Sequence, residues 1–246
     1  GACNLGCKYC YADSYNENMM TFDIAKKAIA LVQAQSNDFI IQFSGGEPLL
    51  NINLIRTISQ HIKDNNIKAK MQIQTNGTLL TAENIDFLVK EKIAIGISID
   101  GNQKIHDEQR PFRDNSGSFK KIMAGLEILK NKKINVGITC VVTKNNVNFL
   151  EKLVMLSYYW GNIKKIGFDT DYYTAVHSNF DLPYDLYRPE LQNPRTQIEI
   201  MQKDGTLTEL SELSSLVKSL TGTTHGDNRF YFPRDILSPE TLFKAE

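Results

Sequence analysis

The chain has 246 residues, 41% hydrophobic and 23% charged, an ordinary balance for a globular protein with room for one sizeable core. Lys and Arg total 28 and so do Asp and Glu, so no net field argues for a nucleic-acid or membrane partner. No apolar run reaches the roughly eighteen residues of a membrane crossing, and nothing at the start reads as a secretory signal; four cysteines without disulfide-like spacing point to a reducing compartment, the cytoplasm.

In chain order, the run CNLGCKYCYA comes first and reads as a loop carrying Cys3, Cys7 and Cys10. TFDIAKKAIALVQAQS follows as a helix, with Thr21 as its N-cap and Ile24, Ala28, Leu31 and Val32 at helical spacing. DFIIQF is a strand stopped by SGGEP, and INLIRTISQHIKDNN is a helix with Asn51 as cap. AKMQIQT is a strand closed by Asn-Gly, and TAENIDFLVKEK a helix opened by Thr81, with Asn84 where a capping box has Glu. IAIGISID is a strand ending in Asp-Gly. After a polar loop, Ser118 opens the helix SFKKIMAGLEILKNKK. INVGITCVVT, NVNFLEKLVMLSYYW and KKIGFD then read as strand, helix and strand.

This alternation predicts an α/β protein with a parallel sheet covered by helices, five strands following the cysteine loop. A strand normally precedes such a loop, so the chain reads as a fragment or as lacking its first strand. Beyond residue 170 the alternation stops, and five of the seven prolines fall there. Residues 1–170 are therefore expected as one domain and 171–246 as an appendage. Its segment THGDNRFYFPRD suits either a peptide-binding or capping surface or a packed loop.

The cysteine spacing carries the chemistry. A [4Fe–4S] cube takes four ligands, and three thiolates leave one iron open for a substrate or cofactor. Zinc in a structural site wants four Cys or His ligands, and the nearest histidine is His61. Cys140, inside INVGITCVV, reads as a small buried hydrophobe, or as a fourth thiolate if the protein is a non-catalytic iron–sulfur carrier. On a parallel sheet, ligands bind beyond the C-terminal strand ends. Three unusual segments fall at such ends: Ser44-Gly45-Gly46-Glu47-Pro48, Gln74-Thr75-Asn76-Gly77 and Ser98-Ile99-Asp100-Gly101. Taken singly, Asn-Gly and Asp-Gly are turn signals. Paired glycines let backbone approach a ligand, and Glu47 offers charge complementary to an ammonium.

Together, CNLGCKYCYA, SGGEPLL, and SISIDG with HDEQR and GSF behind it resemble the radical S-adenosylmethionine (SAM) enzymes. The likeness is greatest to the branch of anaerobic sulfatase maturases and ribosomal peptide maturases, and it covers residues 1 to about 170. It implies a partial (β/α)6 TIM-like barrel, a [4Fe–4S] cluster, and SAM chelating the open iron and cleaved reductively to a 5′-deoxyadenosyl radical. By position it implies Cys3, Cys7 and Cys10 as cluster ligands, and Gly45, Gly46 and Glu47 around the methionine ammonium. Ser98 and Arg110 match contacts to the ribose and carboxylate, Arg110 suiting the latter through its planar fork. Asn76 and Val142 fall near ribose and adenine. Tyr9 matches an aromatic against the adenine, or is core packing, while His106 and Asp107 brace their loop. The implied partners are a peptide or protein substrate and an electron donor such as flavodoxin or ferredoxin. A glycyl-radical activase or a small-molecule enzyme of the same superfamily fits the same motifs. Many members of this branch carry a cysteine-rich C-terminal extension, whereas no cysteine follows Cys140 here.

Overall fold

The computed structural model describes residues 1–10, 19–143 and 145–169, together with the backbone of 196–199. Five strands lie side by side in chain order, all parallel: β1 (Phe39–Phe43), β2 (Ala69–Thr75), β3 (Ala94–Ser98), β4 (Val136–Val141) and β5 (Ile163–Asp169). Helices α1 (Phe22–Gln33), α2 (Ile52–Asp64), α3 (Ala82–Lys90), α4 (Gln103–Gln109), α5 (Phe119–Asn131) and α6 (Leu150–Trp160) fall around and between them. The α/β expectation holds, with its five strands.

Two differences are instructive. The polar loop expected after Asp100-Gly101 contains α4, whose seven residues are mostly polar and so give no apolar stripe to read. Its start is set instead by the Asn102 side chain, which accepts from the Ile105 amide at 3.0 Å. Within the stretch expected as an appendage, β6 (Thr196–Glu199) pairs antiparallel with β5. A single short antiparallel strand leaves no strand–helix period for the sequence to display. The segment THGDNRFYFPRD lies outside the described residues.

The caps also sort themselves. Thr81 accepts from the Asn84 amide at 3.2 Å, as its position implies. Thr21, Asn51 and Ser118 occupy N-cap positions without capping. Asn51 instead donates to the Met20 carbonyl at 3.1 Å, because a 3-10 turn over Pro48–Asn51 already leads into α2. Ser118 donates its hydroxyl to the Arg110 carbonyl at 2.6 Å.

The core lies between sheet and helices: Ile73, Ile97, Ile138 and Ile166 from the strands meet Ile85, Leu88, Ile122, Leu126 and Leu153 from the helices. Along the strands buried residues alternate with part-buried or exposed ones, as a pleat with one face packed against helices requires. Among the described residues no helix is long and apolar enough to cross a membrane.

Candidate active site

The C-terminal ends of the parallel strands carry the loops singled out above, and the cysteine loop is fastened across them. On one side the Glu47 amide donates to the Ala2 carbonyl at 2.8 Å. On the other, the amides of Gly6 and Lys8 donate to the carbonyls of Pro111 and Gln109 at 2.8 and 3.0 Å, and Leu5 forms a β-bridge with Phe112. Gly46 is required where the first fastening is made, since a Cβ there would overlap the carbonyl oxygen of Ala2. Gly45 has φ +129°, a conformation that L side chains rarely adopt, and the space beyond its Cα is open.

The three thiols differ in setting. Cys3 and Cys7 are part-buried and Cys10 is exposed. Burial pushes the Cys7 thiol up to about 11, against the pull of the neighbouring Arg110 charge, with Cys3 and Cys10 close enough to add their own repulsion. Cys3 is also raised by burial, and opposed by the Leu5 amide, which donates to its Sγ at 3.5 Å, and by Asn76 Nδ2 at 3.9 Å. Such N–H donors lessen the cost of a thiolate there. Among the described residues no three His, Cys, Asp or Glu side chains converge as a single metal ion would need. A cube instead spreads its thiolates over separate irons, so three neighbouring soft donors on one loop fit it. Cys140, fully buried on β4, has Asp100, Val141 and Asn146 as partners rather than the loop cysteines.

Glu47 is buried and its carboxylate already serves three donors. Oε1 accepts from the Leu49 amide at 2.9 Å and the Thr75 hydroxyl at 2.7 Å, and Oε2 from the Asn76 amide at 2.7 Å. Burial still raises its pKa, those hydrogen bonds notwithstanding. One acceptor position on Oε2 remains by valence. Glu47 thereby ties the end of β1 to the end of β2. Asn76 extends the connection to the cysteine loop: its Nδ2 donates to Asn4 Oδ1 at 2.9 Å, and Asn4 donates to the Thr78 hydroxyl at 2.8 Å.

A second cluster is built around Asp100, at the end of β3 with no exposed surface. Its Oδ2 accepts from Arg110 Nε at 2.8 Å and from the Tyr9 hydroxyl, and its Oδ1 from the Val141 amide at 3.1 Å. The Arg110 guanidinium also lies 5.1 Å from the centre of the Tyr9 ring. Burial would pull the Arg110 pKa down, but Asp100 overrides it and holds the guanidinium charged. His106 and Asp107 do brace this region. His106 Nδ1 accepts from the Asp100 amide at 3.3 Å, and Asp107 Oδ1 from the Phe119 amide at 2.7 Å. Ser98 and Val142 stand on the same rim with their own partners: Ser98 Oγ accepts from Gln74 at 3.1 Å, and the Val142 amide donates to Asp169.

The sequence places Asp100 in a strand-end segment of the rim, where Asp-Gly taken singly is a turn signal, and gives the residue no role of its own. A buried acid at a strand end looks the same in one dimension as a solvated Asp-Gly turn, and its partners Tyr9 and Val141 lie 91 and 41 residues away.

Residues 1–154 match the Radical SAM superfamily. Among curated proteins, an uncharacterised protein of Methanocaldococcus jannaschii is 42% identical over 169 residues, covering 68% of this chain and 58% of that protein. A cysteine-type anaerobic sulfatase-maturating enzyme of Clostridium novyi is 34% identical over 164 residues, covering 61% of this chain and 44% of the enzyme. Among solved structures, anSMEcpe with bound AdoMet and Kp18Cys peptide superposes with a TM-score of 0.58 at 29% identity, over 63% of this chain and 44% of that one. The chain spans about half the length of the curated relatives it matches.

Proposed function

The chain belongs to the radical SAM superfamily, and from that premise we propose that it works as an enzyme on a peptide or protein substrate. The observation that carries this reading is the double fastening of the cysteine loop, to the glycine loop through Ala2 and Glu47 and to the Arg110 loop through Gly6 and Lys8. It sets three thiols, an open glycine corner and a charged guanidinium on one rim.

Cys3, Cys7 and Cys10 would hold the [4Fe–4S] cluster, with the Leu5 amide and Asn76 supporting the charge on Cys3. When bound, the cluster and SAM together supply a 5′-deoxyadenosyl radical for hydrogen abstraction. The Gly45 and Gly46 backbone and the remaining position on Glu47 Oε2 would receive the ammonium of SAM. Arg110 would grip its carboxylate through Nη1 and Nη2. Ser98 would offer a hydroxyl for the ribose, whereas the Asn76 side-chain amide is already committed to Cys3, Asn4 and Thr78; Tyr9 and Val142 would offer apolar surface for the adenine. An electron donor such as flavodoxin or ferredoxin would reduce the cluster. Support for a peptide substrate comes from the sulfatase-maturating relatives and from the peptide-bound structural neighbour.

Anaerobic reconstitution with iron and sulfide, then addition of SAM and dithionite, tests this reading. It expects 5′-deoxyadenosine and methionine from the wild type and from Cys140→Ala, and neither product nor cluster from Cys7→Ala. Loss of the cluster in Cys140→Ala with retention in Cys10→Ala would favour an electron carrier. Turnover stimulated by a cysteine-containing peptide supports the substrate class; stimulation by free amino acids alone favours a small-molecule enzyme.

A further inference from the structure

We infer that Asp100 is a positioning residue for SAM, aiming the Arg110 guanidinium at the cofactor's carboxylate. This rests on the role given to Arg110 above. A carboxylate without exposed surface persists only where its charge and lone pairs are met, and Asp100 is met from three separate parts of the fold. Arg110 Nε reaches it from the end of α4, Tyr9 from the cysteine loop, and the Val141 amide from β4. Its backbone is held too, since its carbonyl accepts from Asn146 at 3.0 Å and its amide donates to His106.

The choice of donor is informative. Arg110 gives Asp100 only its Nε, which is the sole side-chain hydrogen bond that Arg110 makes among the described residues. The remaining four N–H groups, on Nη1 and Nη2, form the fork that suits a bidentate carboxylate. The backbone of Arg110 is pinned at both ends, its amide donating to the His106 carbonyl at 2.7 Å and its carbonyl accepting from Ser118 at 2.6 Å. With Nε fixed as well, the plane of the fork is set before any ligand arrives. Tyr9, one residue before Cys10, joins the same carboxylate oxygen, so Asp100 also fixes the fork relative to the cysteine loop. Pre-alignment of this kind removes an ordering cost from binding.

Charge and position make opposite forecasts, which gives the test its sign. Asp100 repels an incoming carboxylate, so on charge alone Asp100→Asn should tighten SAM binding. On positioning it should weaken binding by about tenfold or more, the usual range for a hydrogen bond to a charged group. Anaerobic titration of SAM into the whole reconstituted chain reads this, with iron content and cluster absorbance as controls. Asp100→Asn with a normal cluster is expected to bind about tenfold more weakly, and the double variant with Arg110→Ala no more weakly than Arg110→Ala alone. Unchanged or tighter binding by Asp100→Asn, or additive losses in the double variant, overturns the inference. If Arg110→Ala itself binds SAM normally, it is the role of Arg110 that falls, and the inference with it. If Asp100→Asn assembles no cluster, Arg110→Lys decides. A single ammonium cannot serve Asp100 from one edge and a ligand from another, so Lys should bind as poorly as Ala, and wild-type affinity overturns the inference.

Discussion

Gly46 shows how much one hydrogen atom in place of a methyl group can decide. A Cβ there would run into the carbonyl oxygen of Ala2, on the strand of backbone that leads into Cys3. Neither side can give way without breaking the 2.8 Å bond from the Glu47 amide to that carbonyl. Gly46→Ala is therefore expected to cost about 1–3 kcal/mol, as overpacked sites do, and to lower the iron bound per chain. Urea unfolding and iron analysis measure the two effects, and normal iron loading would show that the cysteine loop tolerates a shift. Glu47 teaches a related lesson. The motif pointed to it as a charge for an ammonium, and in the fold its carboxylate first holds two strand ends together.

At the scale of the element, period was legible and phase was not always so. In α1 the spacing of Ile24, Ala28, Leu31 and Val32 correctly gives a helix, yet these residues face outward, with Leu31 66% exposed. The helix buries Ala25 and Ile29 instead, because it carries apolar residues on more than one face and its contact with α2 selects the face. In α5, Gly125 lies against Leu80, and an added Cβ would sit 2.7 Å from the Leu80 Cβ. Intrinsic propensity favours Ala over Gly in a helix by about 1 kcal/mol. Leu80 is buried and cannot retreat, so Gly125→Ala is expected to lower the melting temperature despite that propensity. A thermal melt decides the matter, and a raised melting temperature would mean that α5 slides freely over Leu80.

For the whole molecule, the buried polar cluster links stability to pH. Burial takes the His106 imidazole down to about 4, with Asp100 opposing and Arg110 assisting that shift. The folded protein thus holds His106 neutral where the unfolded chain binds a proton, near pH 6.5. Its contribution is complete above pH 6.5 and is lost as pH falls toward 4. Between pH 7.5 and 5.5 this group alone should remove roughly 1 kcal/mol. Urea unfolding at the two pH values checks it: His106→Gln should lose that much less than wild type across the interval, and equal losses would sink the assignment.

The sequence by itself determined the strand–helix order, the parallel α/β class, and the three thiols with their glycine loop, because periodicity and cysteine spacing are written locally. Only the tertiary structure decided that Asp100 is an anchor rather than a turn, that α1 turns Ile24 and Leu31 outward, and that β6 joins the sheet antiparallel. The physical reason is common to all three. Burial, charge pairing and strand partnership are properties of neighbours in space, and those neighbours lie from ten to about ninety residues away along the chain.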